Sequence, residues 1–339
     1  MTRLKRFPMY KFYIRIVFTA VLFFSAEIHL FSAEFTLKYA TMAPQGSLWH
    51  KYSEIIKREI MSQSKGRIEV KTYYGGIAGD EKTMAKKLKA GLIDIAAFSG
   101  MGLGDVLPSA RIFELPMFFS NYDEVDRVVE GLYNQYEQDF KKEGVVLAAW
   151  GEGGFVYLMS KHKMNVFMDM KGLKIWAPTG DLIVKTMFQK YGFVPVFLGF
   201  ESVLTQLQTD GISAVYAPPM AAIGLQWYNE VSYIYDIKLT CSTGATLINQ
   251  HKFNQLPDDL KKVVIDVMKK YSRELVLSLR KENDRALEVF KKKGIQMIKF
   301  PDSDLIEMKK FAVEVQDELS GKLYTKDLLN KARKFRDAR

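Results

Sequence analysis

The chain has 339 residues, enough for about two domains, and 48% of them are hydrophobic, enough for real cores. Its formal net charge is +10, but the first 33 residues supply five basic side chains and one acid, so the remainder carries +6. That excess is scattered over helix faces (Lys86, Lys87, Lys89) and the tail, with no basic stripe interleaved with aromatics, which argues against nucleic acid as a partner.

The chain opens with Arg3, Lys5, Arg6, Lys11 and Arg15, followed by an apolar run over 16–24. This reads as a secretory signal peptide covering 1–33, cut after Ala33 or, alternatively, after Ala26. An uncleaved anchor is the other reading, because 16–33 is just long enough to span a bilayer, although it contains Glu27 and His29. The single cysteine, Cys241, rules out an intramolecular disulfide and reads as a buried structural thiol.

Residues 35–40 alternate as a strand. A turn follows, and then a helix capped by Ser47 with Leu48, Tyr52, Ile55, Ile56 and Ile60 on one face. Ile68, Val70 and Thr72 mark the next strand, and Asp80 opens a helix closed by Gly91. Residues 93–98 form a buried strand ending at Ser99. Gly100, Gly102 and Gly104 match neither phosphate-loop spacing and read as a turn open to a cleft. A helix over 121–140 and a strand over 145–149 complete an α/β unit. The glycine-rich stretch 151–154 then interrupts the pattern and marks a first crossing into a second unit, continued by a strand over 155–160.

The stretch 169–219 repeats strand and helix: strands at 174–177, 195–198 and 214–217, helices after Asp181 and over 201–209. Alternating strands and helices imply a parallel sheet with covered faces, whose ligands sit beyond the carboxyl ends of the strands. The residues at those ends include Trp176, Phe200, Tyr216 and Ala217, none of them charged. The chain returns through 241–243 into a strand over 245–249. From Pro257 to Lys293 a helical pattern runs without further proline or glycine, roughly 50 Å if unbroken; two helices broken near Ser278 are the alternative. A strand over 295–298 and a helix over 304–319 end the pattern.

Nothing in the sequence matches a metal or nucleophile motif: the histidines (29, 50, 162, 251) are scattered, and HExxH, CxxC and GxSxG are missing. No cofactor is expected, and an enzyme is the minor class.

Five segments, in order, resemble the substrate-binding subunits of tripartite ATP-independent periplasmic (TRAP) transporters, the DctP-like family: LKYATMAPQGS, SKGRIEVKTYYGG with GDEKTMAKKLKAGLIDIA, ELPMFFSNYDEVDRV, MKGLKIWAPTG with FESVLTQLQT, and NQLPDDLKKVV. The resemblance implies a two-lobed α/β periplasmic binding protein fold, with a ligand cleft between the lobes and a long helix spanning both. It divides the chain into 34–153 plus 242–280 for the first lobe and 154–241 plus 281–330 for the second. It implies a periplasmic protein that delivers a small-molecule ligand to TRAP permease membrane subunits. It also places an arginine, the usual partner of a substrate carboxylate, where this chain has Trp176, and a second near Val156. The chain's ligand is therefore expected to be hydrophobic or amphipathic, since tryptophan offers one donor and a large apolar face. The expected ligand contacts are Trp176, Phe200, Tyr216, Phe155, Val156, Ala217, Ser99, Met42, Trp49 and Met101. Members lacking the arginine also suggest a tetratricopeptide-repeat partner in the periplasm. A secreted interaction module with a vestigial cleft is the alternative function.

Overall fold

A computed structural model describes residues 33–338, so all of the expected signal segment except Ala33 lies outside the described residues. In chain order the elements are β1 (Phe35–Thr41), α1 (Leu48–Gln63), β2 (Ile68–Tyr73), α2 (Glu81–Lys89), β3 (Ile95–Ser99), α3 (Gly100–Val106), a 3-10 turn (Pro108–Glu114), α4 (Tyr122–Lys142) and β4 (Val145–Ser160). Then come a 3-10 turn (Phe167–Gly172), β5 (Ile175–Pro178), α5 (Leu182–Tyr191), β6 (Pro195–Leu198), α6 (Phe200–Gln208), β7 (Ala214–Ala217) and α7 (Pro219–Gly224). A short 3-10 turn (Trp227–Asn229), β8 (Tyr233–Tyr235), β9 (Thr240–Asn249), α8 (Gln250–Asn254), α9 (Asp258–Lys292), β10 (Gln296–Ile298), α10 (Asp302–Glu318) and α11 (Lys326–Asp337) follow.

The strands lie in the order β2-β1-β3-β9-β4-β7-β5-β6, with β8 pairing both β4 and β10. β1 runs parallel to β2 and β3, and β5 runs parallel to β6 and β7, as strand–helix alternation dictates. Between these parallel groups lies the antiparallel pair β4–β9, in register from Val145 opposite Asn249 to Val156 opposite Thr240. Four apolar clusters cover the sheet, two at each end, giving a two-lobed α/β molecule. The period of two is plain in β5, where Ile175 and Ala177 face one cluster and Trp176 the other.

Helix starts are fixed by side-chain caps, two of which, Ser47 and Asp80, are read from the sequence. Ser47 accepts from the His50 N–H at 3.2 Å, Asp80 from Thr83 at 2.8 Å and Asn121 from Glu124 at 2.9 Å.

Several expectations need correction. The strands expected at 145–149 and 155–160 form one 16-residue strand, β4. The glycines between them do not end it, because two register shifts absorb the extra residues, and Gly154 takes a φ of 102° at the second. Likewise 240–249 is one strand, with Cys241 buried opposite Phe155. The segment expected as a turn open to a cleft is the helix α3, with Gly100 and Gly102 buried. The pattern over 257–293 is one helix of 35 residues, with no break at Ser278, whose hydroxyl lies 2.8 Å from that of Tyr52. Its Val264, Val267 and Met268 enter one first-lobe core, and its Phe290 enters a second-lobe core. The tail beyond 319, grouped with the second lobe to residue 330, forms α11 instead. Its Leu328, Leu329 and Ala332 are buried in the first lobe with Val128 and Leu132 of α4, because three apolar residues on one helical face outweigh the charged remainder.

Candidate functional site

The residues expected to meet a ligand separate into two groups. Trp176, Phe200 and Tyr216 come together with Trp227, ring centroids 4.9 to 5.2 Å from Trp176. Trp176 is 2% exposed, and its only donor is taken by the Leu198 carbonyl at 3.0 Å. It is a core residue of the second lobe. Phe200 is exposed beside it, and Ala217 is buried at the end of β7. Phe155 and Val156 are buried in β4, with the Tyr122 ring 4.7 Å from that of Phe155 and the Lys238 ammonium 4.6 Å over it. Met101 sits half-buried in α3.

The second group is Met42, Trp49 and Ser99, which line one cavity of about 260 Å³. It lies where the carboxyl ends of β1 and β3 meet the middle of β4 and β9, under the first turns of α1 and beside α9. Its apolar wall is Met42, Trp49, Tyr52, Ile56 and Leu275, and its polar side includes Thr41, Glu81, Ser99, Glu152 and Thr243. Among the described residues, the lining holds two glutamates and no lysine, arginine or histidine.

The two glutamates are held differently. Glu152 accepts two hydrogen bonds from Arg280, at 3.0 and 2.7 Å, and Arg280 also clasps Asp126. Burial still pushes the Glu152 carboxyl upward. Glu81 accepts from the Ser99 N–H and hydroxyl, each at 2.5 Å, and from the Gly102 N–H. Its carboxylate thus satisfies the open amino end of α3, which is why this glycine-rich segment winds into a helix. Burial pushes its pKa up, those hydrogen bonds notwithstanding.

Beside Glu81 lies a buried ion cluster. The Arg111 guanidinium is 3.0 Å from Glu114 and 2.8 Å from Asp181. Arg111 and Glu114 come from the 3-10 turn before α4. Asp181 precedes α5 in the second lobe and also caps it, accepting from Ile183 at 2.9 Å and Val184 at 3.2 Å. Gly100 and Gly104, one helical turn apart, make room for this pair. A Cβ at Gly100 would fall 2.1 Å from the Glu114 carboxyl, and one at Gly104 would fall 3.0 Å from the Arg111 stem. Burial raises the Glu114 pKa, and the Asp181 and Glu81 charges add to it, against the pull of Arg111 and the Thr243 N–H. Burial works against the Arg111 charge as well, but Glu114 and Asp181 more than offset it and hold its pKa above the usual value. Two buried hydroxyls nearby, Tyr216 Oη and Thr243 Oγ1, have no hydrogen-bond partner among the described residues.

Sequence reasoning missed Tyr52, Glu81, Arg111, Glu114, Asp181 and Thr243 as site residues. Two signals were there: an acid one residue into a helix, and the Arg111–Glu114 spacing of one turn. Neither points to a cavity without the fold. A second void, about 20 Å³ inside the second lobe and lined by Met117, Met170, Met187 and Met308, has room for no more than a water-sized molecule.

The family model for bacterial extracellular solute-binding proteins, family 7 (DctP), matches residues 39–322. The chain belongs to that family. It is 24% identical over 288 residues to the sialic acid-binding periplasmic protein SiaP of Vibrio cholerae, covering 84% of this chain and 88% of that one. Its fold matches a TRAP periplasmic solute-binding protein from Ralstonia eutropha, solved with (S)-2-acetolactate, with a TM-score of 0.83, 19% identity, and 90% and 99% of the two chains covered. It also matches one from Haemophilus influenzae, solved with L-gulonate, with a TM-score of 0.80, 22% identity, and 89% and 99% covered. This family 7 protein is thus an extracytoplasmic solute-binding protein that works with membrane permease subunits, and its family members bind rather than transform their ligands. Among the described residues no helix is long and apolar enough to cross a membrane.

Proposed function

We propose that this solute-binding protein carries an amphipathic small molecule that lacks a carboxylate, held in the cavity between α1 and the β4–β9 pair. One observation carries the reading: the lining has an aromatic and aliphatic wall, two glutamates and, among the described residues, no cation. A carboxylate placed there would lose several kcal/mol of solvation with no counter-charge to offset it. Apolar contact contributes about 25 cal/mol per Å² removed from water. The acetolactate and gulonate of the two structural neighbours are both acids, so the reading sets this chain apart from them.

Met42, Trp49 and Ser99 are the direct contacts in this proposal. Trp176 and Tyr216 act behind them by shaping the second lobe, with Phe200 at its rim. The lobes are 34–153 with 242–280 and 154–241 with 281–319, α11 being joined to the first. The leader over 1–33 is removed on export. The repeat-protein partner rests on the missing arginine alone and is not part of the proposal. A cavity of this size favours a working binding protein over an interaction module with a vestigial cleft.

Mass spectrometry of ligand released from protein purified without denaturation tests the reading. An amphipathic compound with no carboxylate is expected. Tight binding of gulonate, acetolactate or a sialic acid would refute it.

A further inference from the structure

We infer that the cavity recognises a protonated amine on its ligand, with Glu81 as the counter-charge and Thr243 Oγ1 as a hydrogen-bond acceptor beside the rings of Trp49 and Tyr52. This rests on the ligand-binding reading above and adds the charge of the ligand's polar end.

The argument starts from what each lining charge already has. Glu152 is matched by Arg280 at two contacts. Glu81 has hydrogen bonds from Ser99 and Gly102, all neutral donors, and makes no ion pair among the described residues. It stands next to Glu114, and the one guanidinium nearby, Arg111, is taken by Glu114 and Asp181, so the neighbourhood holds three carboxylates and a single cation that Glu81 does not reach. An excess of buried negative charge is costly, and a cation brought into the cavity offsets it.

Thr243 points to a ligand independently. It is 5% exposed, it lines the cavity, and its hydroxyl has no partner among the described residues. A buried hydroxyl left unpaired costs about 1–3 kcal/mol, and a χ1 turn that brings Oγ1 out to the cavity lets a ligand N–H recover it. The Ser99 hydroxyl gives its hydrogen to Glu81, so its lone pairs remain for a second N–H. Trp49 and Tyr52 supply π faces that attract an ammonium and exclude water. Charge, acceptors and walls therefore agree on one chemistry, a primary or secondary ammonium on a small apolar body.

The test is calorimetry on the secreted protein, stripped of any bound compound and refolded, with three probes that share a phenylethyl body: 2-phenylethylamine, 2-phenylethanol and 3-phenylpropionate. The amine is expected to bind about 10-fold or more tighter than the alcohol, the worth of one charge-assisted hydrogen bond, with the carboxylate weakest. Glu81→Gln should remove most of that preference, and Thr243→Val should weaken the amine by about 3–10-fold while sparing the alcohol. The wild-type ranking stands even if Glu81→Gln, which weakens the start of α3, fails to fold. An alcohol equal to the amine would overturn this inference and leave the amphipathic reading intact. A carboxylate that binds best would overturn both. Failure of all three to bind would count against the amine and leave the broader reading to mass spectrometry.

Discussion

Replacing Arg111 with methionine removes the cation from the ion cluster and keeps most of its stem. Two contacts are lost, to Glu114 at 3.0 Å and to Asp181 at 2.8 Å. At an effective dielectric constant of 20 each attraction is about 4 kcal/mol for charges about 4 Å apart. Several kcal/mol return because a guanidinium no longer has to be dehydrated, which leaves a loss of about 3–5 kcal/mol. Glu114 adds a pH signature. Its folded-state pKa is already raised by burial and rises further without Arg111. Such a group contributes stability below its unfolded pKa of 4.5 and loses it as pH rises through the folded value. The deficit of the variant is therefore largest at neutral pH and shrinks toward pH 4. Urea unfolding followed by circular dichroism at pH 7.5 and 4.5 measures both. The control is Lys142→Met, whose pair with Asp139 has the same 2.8 Å separation but an exposed lysine, and which should cost under about 0.5 kcal/mol. A loss below about 1 kcal/mol for Arg111→Met, or one that grows on acidification, would refute the reasoning.

Three further outcomes are expected. Trp176→Ala should destabilise the protein by about 3–5 kcal/mol, because a 2%-exposed ring packed on three aromatics leaves a cavity, whereas Trp176→Phe should cost less; thermal unfolding distinguishes them. Trp49→Ala, at the half-exposed cavity wall, should lower affinity for the co-purified ligand about 10-fold while shifting thermal stability little; an unchanged Kd would remove Trp49 from the site. Asp126 has its pKa lowered to about 2, because hydrogen bonds from Arg280 and Arg273 overcome the effect of burial. Its stabilisation is present above the unfolded value of 3.8 and is lost as pH falls toward 2; with solvent screening it amounts to about 1–2 kcal/mol, so the stability gap between wild type and Asp126→Asn should close over that window.

The fold was legible because local rules and tertiary structure agree along most of the chain. Ser47, Asp80 and Asp181 cap the helices they were expected to open, and the apolar face of α9 runs unbroken past Ser278. The failures share a cause. Glycines at 100–104 and 151–154 look like breaks, but a carboxylate 18 residues away winds the first set into a helix and a partner strand holds the second in register. Those partners are not local, so no window of sequence reveals them. The site shows the same limit. The resemblance, which expects an arginine at that position, drew attention to Trp176, yet its ring turns into the core because Leu198, Phe200 and Trp227 offer it a donor's partner and a packed apolar bed. The groups that line the cavity are spread from residue 39 to residue 275 and meet only after the sheet has formed.

The seat of α11 bears on the order in which the chain matures. Val128 and Leu132 of α4 share their apolar cluster with Leu328 and Leu329, residues made some two hundred positions later. The same lobe also needs β9 between β3 and β4 and the amino-terminal half of α9 over its other face. A chain emerging from its amino end therefore cannot finish the first lobe while the second is still being delivered. The first lobe reaches its final packing only after the last helix has arrived, whereas the cores of the second lobe end with α10. Until β9 arrives the half-built sheet exposes the edge of β3 that it will cover, which makes that edge the place where a folding helper has most to protect.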